Sequence, residues 1–310
     1  MTTGLCLYRD RTFVFYTIFE QVPDVPQLMV KGQAVLTDEV TQIVTGHFGG
    51  ETKFSDLLCY HRGGGQATFY KTDRVEHSTL SLIGTPAAAG SEWPHVLAEN
   101  FGTRSGYSDL LFYHLRDNGR AWGTFYKTDG QASLQQTGQG NWRGNWTHML
   151  TGQFGGGTGN ADIFFYDSMN GVIESNKVQN GRPTTLYPAN EQWQKGWTHV
   201  LAGNFESGSS NTNVLFYASG TGNWEIYATH GQQSPTLVKS GTIDAGASHL
   251  IAGNFVESSQ TTDILCYHQQ EKKARFYKVL GQGAQLSLMR LTDTPWDTTW
   301  DLLTPWEYAS

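Results

Sequence analysis

Charge is sparse in this chain and runs of one sign are absent. Asp, Glu, Lys and Arg together make 16% of the residues, and the net charge is −7. Without a Lys/Arg cluster, nothing in it matches a nucleic-acid backbone, whose partners depend on such clusters. No stretch of 18 apolar residues occurs, so no membrane-spanning helix is expected. The first ten residues place Arg9 and Asp10 where a secretory signal needs an unbroken apolar run. The expectation is a cytoplasmic protein, with release by a nonstandard route as the alternative. Cysteine is almost missing as well. Cys6, Cys59 and Cys266 are odd in number, far apart and set among apolar residues, which excludes a disulfide framework and the close pairs of a zinc site. No metal and no cofactor are expected. What the chain does have is aromatic bulk, with Trp 10, Tyr 14 and Phe 16 in 310 residues. That is enough for the core of a soluble globular protein.

Self-similarity is the strongest signal. Asp56-Leu-Leu-Cys-Tyr60, Asp109-Leu-Leu-Phe-Tyr113, Asp162-Ile-Phe-Phe-Tyr166, Asn213-Val-Leu-Phe-Tyr217 and Asp263-Ile-Leu-Cys-Tyr267 recur every 50 to 53 residues, and Gly4-Leu-Cys-Leu-Tyr8 is a sixth copy. Eight residues before each of the five stands a Phe, at 48, 101, 154, 205 and 255. Each Phe ends a second string, beginning at Gln42, His95, His148, His199 and His249. Asp301-Leu-Leu-Thr-Pro305 reads as a degenerate sixth. Two further strings per unit, such as Thr124-Phe-Tyr-Lys127 and Leu286-Ser-Leu288, complete four short strands separated by Gly, Ser, Asn and Asp turns. No window shows an amphipathic helix.

Four strands per unit of about 50 residues, without helices, predict an all-β, six-bladed β-propeller with four antiparallel strands per blade. Residues 1–310 form one domain in this reading. The C-terminus supplies a strand with no successor and the N-terminus begins without a predecessor, so the two terminal strands must share one blade.

The strings Gly46-His-Phe-Gly-Gly50 and Gly152-Gln-Phe-Gly-Gly156, each followed by Asp-x-x-x-Tyr, resemble the FG-GAP/VCBS repeat family. The resemblance covers nearly all of the chain and implies a propeller whose first turn often carries a calcium loop. Here that loop has lost most of its carboxylates. Glu51 with Asp56 is the richest pair in any turn, too few for a cation that takes six to eight oxygens. The recurring Asp reads as a turn device accepting backbone N–H groups.

Two constellations stand above the framework, and both are expected on one face of the ring, around its axis. The first is His95, His148, His199 and His249, with Gln42 and Asp301 completing six. Imidazoles near an axis can bind a metal or move protons, whereas recurrence in register points to a framework role, hydrogen-bonded to the neighbouring blade. His61, His114 and His268 are expected as solvated loop residues near the same opening. The second is aromatic: Trp142 with Trp146, Trp193 with Trp197, Trp296 with Trp300, and Trp93 in a matching position. Trp faces stack on sugars, or wedge between blades. Asp167, Asp301, Glu174 and Arg9 break the repeat symmetry, but no catalytic triad or phosphate-binding loop is visible.

The sequence thus favours a noncatalytic, lectin-like carbohydrate-binding propeller with its ligand sites at these Trp and His residues and Asp301. The partner expected is a glycan or other small molecule, not nucleic acid or membrane. The alternatives are a metal-dependent lyase or cyclase using the histidine ring, and a protein-interaction scaffold.

Overall fold

Each Asp-Leu-Leu-x-Tyr string is apolar on both faces because both faces are covered. In the computed structural model, Asp162–Asp167 is buried at every position, and Asp56–His61 at all but the last. A strand read as a continuous apolar run is one sandwiched between two neighbouring sheets. The outermost strands, such as Gln233–Thr242, are instead mostly exposed or half-buried. The structure describes residues 2–49, 54–72, 80–90, 93–103, 106–115, 120–157, 159–189, 193–257, 259–296 and 298–308.

The strands form six antiparallel sheets. Five begin with the inner strands Gln42–Gly46, His95–Glu99, His148–Gly152, His199–Gly203 and His249–Gly253, each paired with the buried second strand that follows it. The sixth joins the chain's two ends. Leu302–Tyr308 lies inside Thr2–Arg9, with Leu5 opposite Pro305 and Tyr8 opposite Leu302, and Thr12–Glu20 and Pro26–Val35 complete the sheet. Successive inner strands adjoin all the way around, including Leu302–Tyr308 against both Gln42–Gly46 and His249–Gly253. The fold is therefore the six-bladed propeller with a shared terminal blade that the repeats predict. One blade departs in detail: Gln66–Lys71 pairs with two short pieces, Ser81–Leu82 and Ala87–Ala88, in place of one outer strand.

Six aromatic clusters fill the gaps between blades. In the cluster between the second and third inner-strand blades, Trp142 and Trp146 each lie 5.3 Å from the ring of Phe165. The three cysteines are free, buried thiols.

Candidate functional site at the glutamate-bearing channel mouth

The six inner strands surround an axial channel whose two mouths are chemically different. At the first lie the strand beginnings. The His148 ring meets Thr147 Oγ1 through Nδ1 (2.9 Å) and the carbonyl of Thr198, in the next blade, through Nε2 (3.1 Å). His199 repeats this with Thr198 Oγ1 and the Ser248 carbonyl, and His249 with Ser248 Oγ and the Asp301 carbonyl. Gln42 does the same work with an amide, donating to the Pro94 carbonyl and accepting from Val96 N–H (2.9 Å). These side chains are stitches between successive blades. Burial lowers the pKa of all four histidines, and that of His95 to about 4. Among the described residues no group of three or more His, Cys, Asp or Glu is placed to hold a metal.

Two details of the sequence reading need correction here. Asp301 does not complete the histidine ring. Leu302 faces Tyr8 as His95 faces Tyr113, and Asp301 occupies the preceding position, lending its carbonyl to His249. His268, expected in a solvated loop, is buried at the end of its strand.

The tryptophans are likewise not a ligand surface. Trp93, Trp142, Trp146, Trp197, Trp296 and Trp300 are all buried, Trp146 and Trp197 to 2% exposure. They pack edge-on or tilted against second-strand aromatics: Trp93 on Phe112, Trp197 on Phe216, Trp296 on Tyr267. Trp193 alone is half-buried, and its ring lies 4.3 Å from that of Tyr227. Both members of the Trp142/Trp146 and Trp296/Trp300 pairs wedge between blades, so these four rings leave no face for a sugar to stack on. The expected sugar site on these tryptophans is thereby lost.

The turn carboxylates also have structural employment. Asp162 accepts the Phe154 and Gly156 N–H groups (2.9 Å each), Asp263 those of Phe255 and Val256, Asp109 that of Phe101 and Asp56 that of Phe48. Asn213 substitutes an amide oxygen, accepting from Glu206 N–H. Glu51, the other half of the richest calcium pair, lies outside the described residues. Asp167 accepts N–H groups in its own turn and pairs with Arg143 at 3.1 Å, and Arg9 donates to Thr298 and Thr299. Arg143 also acts on Glu174, so Asp167 and Glu174 share one guanidinium, while Arg9 and Asp301 both act on Tyr267. Glu174, bonded to Asn176, has its pKa raised by burial.

The second mouth, at the strand ends, holds a cavity of about 560 Å3 to which every inner strand contributes. Small or short residues, Thr45, Ala98, Thr151, Ala202, Ala252 and Pro305, keep it open. The next ring position is glycine in four blades, for a packing reason. A Cβ on Gly46 would lie 2.9 Å from Ser108 Oγ, on Gly152 or Gly203 2.9 Å from the Thr212 or Thr262 side chain, and on Gly253 2.8 Å from Thr3. Glu99 occupies this position in the remaining Phe-bearing blade. There, and only there, the facing Ser/Thr is replaced by Ala161, whose N–H reaches the Asn100 carbonyl as Thr212 N–H reaches Gln153. Ala161 lacks the Oγ and Cγ2 atoms that, together with the ring of the Phe two residues on, crowd this position in the other blades.

Flanking Glu99, in the two preceding blades of the ring, stand His47 and Glu307. Glu99 is open to the cavity yet walled by protein. This desolvation raises its pKa above the usual carboxylate range; Glu307 adds to the rise, while the Asn100 N–H and His47 oppose it. Two carboxylates and an imidazole around one cavity can activate water and pass a proton. Sequence reading missed all three. The signal was present in His95-Val-Leu-Ala-Glu-Asn-Phe101, where a glutamate replaces the recurring glycine.

No protein-family model and no curated protein matches the chain. Solved structures do resemble it in fold. The periplasmic gluconolactonase of Pseudomonas aeruginosa aligns with a TM-score of 0.55 at 13% identity, over 95% of this chain and 80% of that one. Putative 6-phosphogluconolactonases follow, from Bacteroides fragilis (TM-score 0.53, 10% identity, 95% and 80% covered) and Bacteroides uniformis (0.53, 12%, 96% and 83%). Their names describe enzymes acting on sugar lactones, which runs against the expectation of a noncatalytic lectin. At such identities the likeness is one of fold.

Proposed function

We propose that the protein hydrolyses a small sugar-derived lactone in the cavity bearing Glu99, Glu307 and His47. The single observation carrying this is Glu99, the one ionisable side chain in a ring of glycines, given space by Ala161 and held at a raised pKa by its surroundings. A carboxylate of raised pKa is a stronger base toward water than an ordinary one. The named activities of the similar propellers supply the substrate class.

In this mechanism Glu99 takes a proton from water as the water oxygen bonds to the lactone carbonyl carbon. The tetrahedral intermediate then collapses, the ring C–O bond breaks, and the proton passes from Glu99 to the departing alkoxide, giving the open hydroxy acid. His47 and Glu307 position water and substrate. The repeat itself we read as an FG-GAP/VCBS-like blade whose first-turn carboxylate caps backbone N–H groups.

Acid release from glucono-1,5-lactone, followed at constant pH against spontaneous opening, tests the proposal. Glu99→Gln is expected to lower kcat at least about 100-fold with little change in KM, the scale of a lost general base. A wild-type rate equal to the spontaneous one overturns it.

A further inference from the structure

The same cavity carries information about substrate charge. We infer that this mouth takes an uncharged polyhydroxylated lactone and rejects a phosphorylated one, with Glu307 as the residue that sets this specificity; the inference rests on the lactonase reading. Among the described residues lining the cavity there is no Lys or Arg, while two carboxylates face it. Glu307 raises the pKa of Glu99, so the negative charge of one is felt at the other.

Backbone donors, the other means of holding a phosphate, are already committed. The N–H groups of His47, Gln153, Asn204, Asn254 and Glu307 donate to Ser108 Oγ, Thr212 Oγ1, Thr262 Oγ1, Thr3 Oγ1 and Ser55 Oγ. The Phe48, Phe101, Phe154 and Phe255 N–H groups one residue further go to the turn aspartates. A phosphate dianion entering here meets like charge without a compensating cation among the described lining residues. A hydroxyl group meets the opposite situation. The Ser and Thr oxygens that accept these N–H groups keep their own O–H hydrogens, and Thr45 and Thr151 add two more hydroxyls to the wall. Walls lined by hydroxyls, with no cation among the described residues, suit neutral sugar hydroxyls.

The nearer cations Lys127, Lys177 and Lys278 act on the turn aspartates Asp109, Asp162 and Asp263 and do not line the cavity. Arg62 and Arg143 sit at the histidine mouth, acting on His95 and bonded to Asp167 respectively. That is one inner-strand length away, about 13 Å at roughly 3.3 Å per residue.

The test compares kcat/KM for glucono-1,5-lactone and its 6-phosphate at pH 8 and low salt, in wild type, Glu307→Gln and Glu307→Lys, each first shown to unfold at the wild-type temperature within a few degrees. The wild type is expected to prefer the neutral lactone about 100-fold or more, and Glu307→Lys to narrow the ratio at least about tenfold, chiefly through KM of the phosphate. Equal or faster turnover of the phosphorylated lactone overturns the inference and leaves the lactonase reading standing. If neither lactone is opened, the lactonase reading fails. The charge inference is then decided by saturation-transfer NMR with glucose and glucose 6-phosphate: contact from glucose alone upholds it, and contact from the phosphate, or from neither, overturns it.

Discussion

A carboxylate at position 99 costs the fold something that glycine would not. Because burial and Glu307 raise its pKa, the folded state disfavours the charged form. The stability this group can contribute is present only below the unfolded pKa, near 4.3, and is lost as pH rises through the higher folded value. Glu99→Gln is therefore expected to melt higher than wild type at pH 7, with the gap closing as pH falls below about 4. A calorimetric series checks it. The histidines run the other way. His95 is lowered to about 4 by burial, so its contribution is full above the unfolded value near 6.5 and disappears as pH falls toward 4. Asp263, raised to about 6 by burial, opposes this within the same window, which makes a difference experiment necessary. His95→Gln, copying the residue that blade neighbour Gln42 already uses, is expected to lose less stability on acidification from pH 6.5 to 4 than wild type does. An equal loss in both contradicts it.

Strands, turns and their register were largely legible, because the repeat makes each copy vouch for the others. The turn aspartates behave as read: Asp162 binds two N–H groups, and Asp162→Ala is expected to cost roughly 1–3 kcal/mol in urea unfolding, the range for a buried donor left unpaired. Asp162→Asn should cost less, since Asn213 fills the same position with an amide. The register failed by one residue where the pattern has no anchor. The last strand lacks both the starting His and the closing Phe, and its Leu-Leu-Thr run matched equally well from Asp301 as from Leu302. The tryptophans failed for a different reason. A Trp in a polar, Gly-containing turn looks exposed in one dimension, yet such turns lie over the seam between blades, where Phe165, Phe216 and Tyr267 receive the rings. Glu99 is invisible to the repeat pattern, because a single site on a repeated frame is marked by what does not recur.

The ring as a whole is held by its ends. Seven residue pairs join Thr2–Tyr8 to Leu302–Tyr308, and Trp306 is buried with its indole N–H on Thr72 Oγ1 at 3.0 Å. Removing residues 299–310 opens the circle and bares the Thr2–Arg9 strand, so the truncated chain is expected to lose its cooperative thermal transition; an unchanged melting temperature contradicts the closure argument. Closure also separates the two mouths, one stitched by imidazoles between blades and the other kept open around Glu99 and Glu307. The account stands on the second mouth being where chemistry occurs. Initial rates of glucono-1,5-lactone opening by wild type, Glu99→Gln and His148→Gln measure this directly. The prediction is a rate above the spontaneous one that falls at least about 100-fold in Glu99→Gln and stays within about twofold in His148→Gln. Loss of activity in His148→Gln with Glu99→Gln unaffected would place the chemistry at the other mouth and contradict the account.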